Sequence, residues 1–196
     1  MTMQKTDILL FNDAEYHVSD STRTYLFEPK DYGLNPYTCV TSCYRGWKAR
    51  YAISERLRLQ DLWVSHDAGH PVKNRKPNGP EIEGVLPQES TDSDDLKSFN
   101  CYYPQINIDL GFSGAIIIGK NSLKLRARHL PFWVFEQVFE LVVEQGKLIS
   151  AKDKSYLAER VRQSYIGNNS LGYVVFNPTG KDIKWLTDSF VTQLRV

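Results

Sequence analysis

The sequence of 196 residues lacks the motifs by which many enzymes are identified. It contains no nucleophile elbow, no glycine-rich phosphate loop and no set of metal ligands at a recognised spacing. It also lacks an excess of either charge, since 24 Lys and Arg stand against 23 Asp and Glu, and this balance favours neither nucleic acid nor an anionic membrane as a partner. The sequence is therefore more informative about the fold than about a reaction.

Cysteines and long apolar runs are also scarce. The three cysteines form an odd number, and residues 1–6 lack the basic start and the apolar stretch of a secretion signal. The apolar stretches 115–118 and 130–143 are too short, or too interrupted by acidic residues, to cross a bilayer. We therefore expect a soluble, cytoplasmic protein with reduced thiols.

Hydrophobic residues make up 41% of the chain, which is enough for one domain with a sizeable core. Apolar periodicity vanishes between about residues 66 and 104, where prolines and acidic residues accumulate. We predict a single α+β domain over residues 1–196 with a polar insertion at about 66–104. Long segments without regular structure are usually functional or mobile, and we expect deletion of residues 72–98 to leave the fold intact.

Alternation of apolar and polar residues predicts an antiparallel sheet built mainly from residues 7–128. Its clearest part is a hairpin of 43–53 with 57–64, in which the odd-numbered side chains are buried. Further strands are predicted at 8–11, 16–18, 24–27, 106–110, 115–119 and 123–128.

Helical spacing of apolar residues predicts C-terminal helices packed on one face of this sheet. The predicted helices cover 131–146, 153–167 and 182–194, and a short strand at 172–176 separates the last two. Glu136, Glu140 and Glu144 would form a solvated stripe on the first of these helices.

Odd-to-odd pairing in the hairpin would place Asp61 beside Arg45 and Trp47, which predicts an ion pair between Arg45 and Asp61. The pair could serve recognition or catalysis, although a charge pair that satisfies itself within the sheet is the more common case. If the two side chains pair with each other, replacing Arg45 by Met together with Asp61 by Leu should preserve folding.

The hairpin resembles the sheet of small uncharacterised bacterial proteins with the run W/Y-R-G-Y/W-x-A-x-W/Y-x-I followed by L-x-L-x-D. The matching residues are Tyr44, Arg45, Gly46, Trp47, Ala49, Tyr51, Ile53, Leu57, Leu59 and Asp61. Weaker similarities lie in 112–119 and 139–148. Some proteins of this kind resemble immunity proteins that bind toxins used between bacteria, and the resemblance implies stoichiometric binding rather than catalysis.

Acidic residues in the insertion could present a carboxylate surface to the basic cleft of such a toxin. The predicted partner-binding residues are Glu81, Glu83, Glu89, Asp92, Asp94, Asp95, Tyr102 and Tyr103. A solvated loop with no special role is equally compatible with this composition.

A second class of function, a small enzyme or a nucleic-acid-binding module, would use basic residues in a cleft between the sheet and the helices. The residues of this alternative site are Arg45, Asp61, Lys124, Arg126 and Arg128. Lys120 lies on the same side of the predicted strand, and Lys48, Arg50, Arg56 and Arg58 form another basic cluster. Alternating cations are also typical of an exposed strand face, so nucleic acid is not the favoured partner.

No cofactor or metal is predicted. His66 and His70 are acceptable metal ligands, but Gly69 and Pro71 disfavour the helix on which such a pair binds well. Cys39 and Cys43 would lie on one strand face about 13 Å apart, which is too far for one ion. We expect Cys101 to pack at the edge of the insertion.

Overall fold

A computed structural model of the protein describes residues 4–67, 76–123, 130–168, 174–177 and 179–190. Within these ranges the main sheet has nine strands in the order β5-β4-β3-β1-β2-β7-β8-β9, and β6 also pairs with β4. The strands are β1 Ile8–Phe11, β2 Ala14–Ser21, β3 Trp47–Ile53, β4 Leu57–Val64, β5 Cys101–Tyr103, β6 Ile108–Asp109, β7 Gly114–Ser122, β8 Phe135–Glu144 and β9 Lys147–Asp153. The β1–β3 pair is parallel, whereas the other pairs are antiparallel.

The described helices lie mostly toward the C-terminus. They are α1 Ser93–Leu96, α2 Ser155–Tyr165 and α3 Gly180–Asp188, with 3₁₀ turns at Pro29–Tyr32 and Phe132–Val134. Strands β10 Ile166–Asn168 and β11 Val174–Phe176 form a small second sheet. The α+β prediction is thus confirmed, but the main sheet extends to Asp153 rather than ending near residue 128.

Two large apolar cores cover the two faces of the sheet, and Cys43, Trp63 and Phe99 form a third, small cluster. On the first face Leu9, Tyr51 and Leu59 are fully buried in one large cluster. On the second face Ile117 and Phe135 pack in a separate cluster whose other buried members include Leu157 and Val161 of α2 and Leu186 of α3. The two C-terminal helices therefore cover only the second face, as the sequence predicted.

The helix predicted at 131–146 is wrong, because most of this segment forms strand β8. Phe135, Val138, Leu141 and Val143 are all buried there, since a central strand packs apolar side chains on both faces. That packing produces an apolar run whose spacing also fits a helix. Glu140 is buried on the strand, whereas Glu136 and Glu144 are exposed, so the predicted glutamate stripe does not exist.

A hairpin turn, rather than the end of a helix, explains Gly146. Gln145 and Gly146 have φ values of 47° and 79°, and a tight turn that joins two antiparallel strands requires such positive values. A Cβ at Gly146 would also lie 2.2 Å from the carbonyl oxygen of Leu110. The residue is therefore needed at the turn between β8 and β9.

Other local predictions divide between confirmed and corrected ones. The strands predicted at 8–11 and 16–18 appear within β1 and β2, and the hairpin predicted at 43–53 with 57–64 appears as β3 and β4, although β3 begins only at Trp47. The helix predicted at 153–167 appears as α2, and the one predicted at 182–194 appears as α3 over Gly180–Asp188. Residues 24–27 do not form a strand, and of the strand predicted at 123–128 only residue 123 lies within the described residues.

A β-bulge changes the face on which Asp61 lies. Arg50 pairs with Asp61 but the next residue, Tyr51, pairs with Leu59, which leaves Gln60 as an extra residue in β4. One extra residue moves the following side chains to the opposite face of the sheet. Asp61 therefore shares a face with Arg50 and not with Trp47, and the predicted odd-to-odd register is wrong beyond the bulge.

The polar insertion is part of the fold wherever it is described. It contains α1 and β5, and Gln88 bridges to Tyr102 in an antiparallel arrangement. Ile82 and Phe99 are buried within it. Residues 76–104 therefore pack as part of the fold, whereas their composition predicts a segment without regular structure.

None of the helices in the described ranges has the length and apolar character needed to cross a membrane.

Candidate functional site

The acidic segment, residues 81–95, is anchored to the rest of the molecule at both ends. Ile82 is buried in the main core, and Asp95 is 6% exposed. The Asp95 carboxylate accepts hydrogen bonds from Lys5 Nζ at 3.0 Å and from Lys48 Nζ at 2.7 Å. Asp95 was predicted to contact a partner, but it holds the segment against the sheet instead.

Asp92 has a local structural role as the N-cap of α1. Its carboxylate accepts hydrogen bonds from the backbone amides of Asp95 at 3.1 Å and Asp94 at 2.8 Å, and these bonds lower the pKa of Asp92. The capped turn fixes the end of the segment where Asp95 meets the two lysines.

The remaining acidic side chains of the segment face solvent. The exposed carboxylates are those of Glu81, Glu83, Glu89, Asp92 and Asp94. Leu86 and Leu96 are 67% and 42% exposed within or directly after the segment. The acidic segment therefore presents both carboxylates and leucines to solvent, while Ile82 and Asp95 hold its backbone against the rest of the molecule.

The two predicted tyrosines differ from each other. Tyr103 is fully buried, its hydroxyl donates to the carbonyl oxygen of Pro80 at 2.9 Å, and burial raises its pKa well above the usual range. Tyr102 is half-buried and stacks on Trp63 with ring centroids 4.8 Å apart. Tyr103 is therefore removed from the predicted contact set, whereas Tyr102 keeps an accessible portion.

Arg45 and Asp61 do not pair with each other. The Arg45 guanidinium forms a bidentate ion pair with the Asp7 carboxylate, and Arg45 Nε donates to the carbonyl oxygen of Trp47 at 2.7 Å. Asp7 also accepts a hydrogen bond from the backbone amide of Ala49 at 2.7 Å. No local pattern identifies Asp7 as the partner, because the two residues are 38 positions apart in the chain.

Asp61 has partners of its own. Its carboxylate accepts hydrogen bonds from the backbone amide of Gln105 at 3.0 Å and from the Tyr102 hydroxyl at 3.2 Å. Arg50 Nη1 lies 3.6 Å from the other carboxylate oxygen, and Arg50 also contacts Glu15 at 3.1 Å. Arg45 and Asp61, which the sequence places together in the alternative site, therefore belong to two separate networks of hydrogen bonds and ion pairs.

The second basic cluster is neutralised by carboxylates. Lys48 contacts Asp95, while Arg56 Nε and Arg58 Nε lie 3.3 Å and 2.6 Å from the carboxylate of Asp109. Paired cations contribute less to phosphate binding than free ones, because a phosphate must displace the carboxylates. Lys124, Arg126 and Arg128 lie outside the described residues.

A cleft lies beside Arg45, next to the N-terminal end of β1. Strand β1 begins at Ile8, opposite His17 of β2 and Arg50 of β3, whereas β2 continues to Ser21 and β3 begins at Trp47. Beside this end of β2, residues 4–7, residues 43–45 and the turn before β8 line a cleft of about 630 Å³, which we call the notch cleft. The residues that shape its walls are Asp20, Arg23, Tyr25, Tyr44, Phe132 and Trp133.

A smaller groove of about 500 Å³ lies beside the notch cleft, and both are lined by residues 4–6. His17 lines this groove, where its Nδ1 lies 2.8 Å from Thr6 Oγ1 and its ring stacks on Phe135. Burial lowers the pKa of His17, and the nearby Glu15 carboxylate opposes this shift only in part.

This lowered pKa predicts a pH dependence of stability. Below about pH 6.5 the unfolded chain binds a proton at His17 more readily than the folded protein does, so the free energy of unfolding should fall as the pH drops through the folded-state pKa. Thermal unfolding at about pH 8 and about pH 5 measures this fall. The variant His17→Gln should show a smaller fall, and an identical fall would contradict the assignment to His17.

The described histidines and cysteines do not form a metal site, since no group of three or more His, Cys, Asp or Glu side chains converges in the described ranges. His66 is buried, with Nδ1 accepting from the Asn35 amide at 2.9 Å, and His70 lies outside these ranges. Cys39 and Cys43 precede β3 instead of sharing a strand face, and Cys101 is fully buried in β5.

No family model, curated protein or solved structure matches the chain. The assignment of a function therefore depends on the geometry described above.

Proposed function

We propose that the protein acts by stoichiometric binding to a protein partner through its acidic segment. The observation that carries this proposal is the anchoring of the segment at Ile82 and Asp95, while its other carboxylates are exposed to solvent. A segment already held in place loses little conformational entropy on binding, which favours affinity.

The chemistry of the segment favours a partner with a basic surface. Exposed carboxylates steer a cationic partner toward the surface and raise the association rate. Leu86 and Leu96 offer apolar area for the centre of a contact, where charged side chains are costly to bury. Tyr102 adds a partly exposed aromatic side chain nearby, because its strand pairs with Gln88 of the segment.

We further propose that the partner is a bacterial toxin with a basic active-site cleft, which the segment occludes. The similarity of the hairpin run to immunity-like bacterial proteins supports this choice of partner. Such an antidote would act in the cytoplasm. The alternative function at Arg45 and Asp61 is not favoured, because these residues lie in separate networks and already have partners.

Neutralising the exposed carboxylates should abolish partner capture. The test variant carries Glu81→Gln, Glu83→Gln, Glu89→Gln and Asp94→Asn, and it retains Asp92 because this residue caps α1. Loss of steering should slow association by about tenfold or more. Affinity capture from a bacterial lysate that expresses candidate toxins, followed by mass spectrometry and native mass measurement, identifies the partner and its stoichiometry.

A matched control removes the same amount of charge elsewhere on the surface. It carries Asp13→Asn, Glu55→Gln, Glu136→Gln and Glu144→Gln, all at exposed positions. The proposal expects one partner at equal stoichiometry with the wild type and the control, and none with the test variant. Equal capture by both variants would show that the acidic segment is not the contact.

A further inference from the structure

We infer that the notch cleft is a binding site for a small planar aromatic anion. The inference is independent of the acidic segment, because no residue of that segment lines the notch cleft.

The size and lining of the notch cleft fit such a ligand. Its volume of about 630 Å³ lies within the range of small-molecule sites. The lining includes Tyr25 and Tyr44 together with Phe132 and Trp133 from the turn before β8. Tyr44 is 60% exposed, so its ring is accessible to a ligand.

Two aromatic side chains of the lining are held in place by their neighbours. Tyr25 packs edge-on against Trp47, and the Arg45 guanidinium lies over both rings, 5.7 Å and 4.1 Å from their centroids. Trp133 stacks on Phe176 with centroids 4.7 Å apart. Tyr25 and Trp133 are thus preorganised to contact a flat ring in the cleft.

One cation of the lining, Arg23, favours an anionic group on the ligand. Asp7 neutralises Arg45, Lys5 binds Asp95 outside the notch cleft, and the Asp20 carboxylate of the lining accepts a hydrogen bond from the backbone amide of Ser21 at 2.8 Å. Arg23 is exposed and contacts the Phe112 ring at 5.7 Å, and within the described residues no carboxylate lies in ion-pair range of it. Its guanidinium can therefore bind a carboxylate, sulfonate or phosphate carried by the aromatic ligand.

The probe for this site is 8-anilinonaphthalene-1-sulfonate, which is aromatic, anionic and fluorescent when shielded from water. Titration of the full chain should give saturable binding at one site per chain. Arg23→Gln and Tyr44→Ser should each weaken the affinity by about fivefold to tenfold, since each removes one contact of the ligand. The matched controls Lys30→Gln and Tyr156→Ser remove a cation and an exposed tyrosine outside the notch cleft, and both should leave the affinity unchanged.

Charge selectivity and competition complete the test. Thioflavin T, a planar aromatic cation, should bind much more weakly than the sulfonate probe. Displacement of the probe by 1-naphthoate or by 1-naphthyl phosphate supports the site and shows which anionic group it prefers. The inference is overturned if the probe affinity is unchanged in Arg23→Gln and Tyr44→Ser, if thioflavin T binds equally well, or if neither naphthyl anion displaces the probe. Circular dichroism of each variant confirms that it remains folded.

Discussion

Replacing Asp7 by alanine should destabilise the protein by about 3–5 kcal/mol, because it leaves a largely buried guanidinium without its counter-ion. The side chains of Asp7 and Arg45 are only 7% and 20% exposed. The same substitution removes the acceptor for the backbone amide of Ala49, and an unsatisfied buried amide adds to the loss. Asp7 therefore holds together the N-terminus of β1, the start of β3 and the turn that carries Arg45.

Equilibrium unfolding in urea measures the change in the free energy of unfolding. The matched control is Asp109→Ala, because Asp109 also pairs with arginines but is 47% exposed. Exposed ion pairs contribute little, so the control should lose far less stability than Asp7→Ala. Equal losses in the two variants would contradict a special role for the buried pair.

A double substitution distinguishes the pairing seen in the structure from the pairing that the sequence predicts. Asp7→Leu with Arg45→Met removes both buried charges and should recover much of the stability lost in the single variants. Arg45→Met with Asp61→Leu should not recover it, because Asp7 would then lose its counter-ion and the backbone amide of Gln105 would lose its acceptor. Additivity of the two single effects in the first pair would argue against direct pairing.

Deletion of residues 76–98, with a short Gly-Ser linker in their place, should abolish cooperative folding. The deletion removes buried Ile82 and the Asp95 carboxylate that neutralises Lys5 and Lys48. It also removes Pro80, whose carbonyl oxygen accepts the hydrogen bond of buried Tyr103. The composition of the insertion predicts the opposite result, namely an intact fold.

Thermal unfolding followed by near-ultraviolet circular dichroism tests this prediction. The deletion variant should lose the aromatic signal and the sharp transition, whereas the charge-neutralised variant of the acidic segment should keep both, because its substitutions lie at exposed positions. A sharp transition at the wild-type temperature in the deletion variant would show that the segment is dispensable for folding.

The candidate site was predictable only in part. The acidic residues of the insertion are visible in the sequence, and most of them are exposed as predicted. Nothing in the local sequence distinguishes Asp95 and Tyr103 from the exposed residues around them. They are buried against residues distant in the chain, Asp95 against Lys48 and Tyr103 against Pro80. The notch cleft has no sequence signature, since its lining comes from four segments that are far apart in the chain.

The sequence by itself determined the features that depend on neighbouring residues. Alternation and the turn at Asn12-Asp13 suffice for the hairpin of β1 and β2, since turn conformation and strand pairing act over a few residues. Only the tertiary structure decided that β8 is a strand, that Gln60 forms a bulge and that Asp7 pairs with Arg45. Each of these depends on which distant strand lies alongside, because burial on a second face, register and ion pairing are set by contacts between elements and not by local propensity.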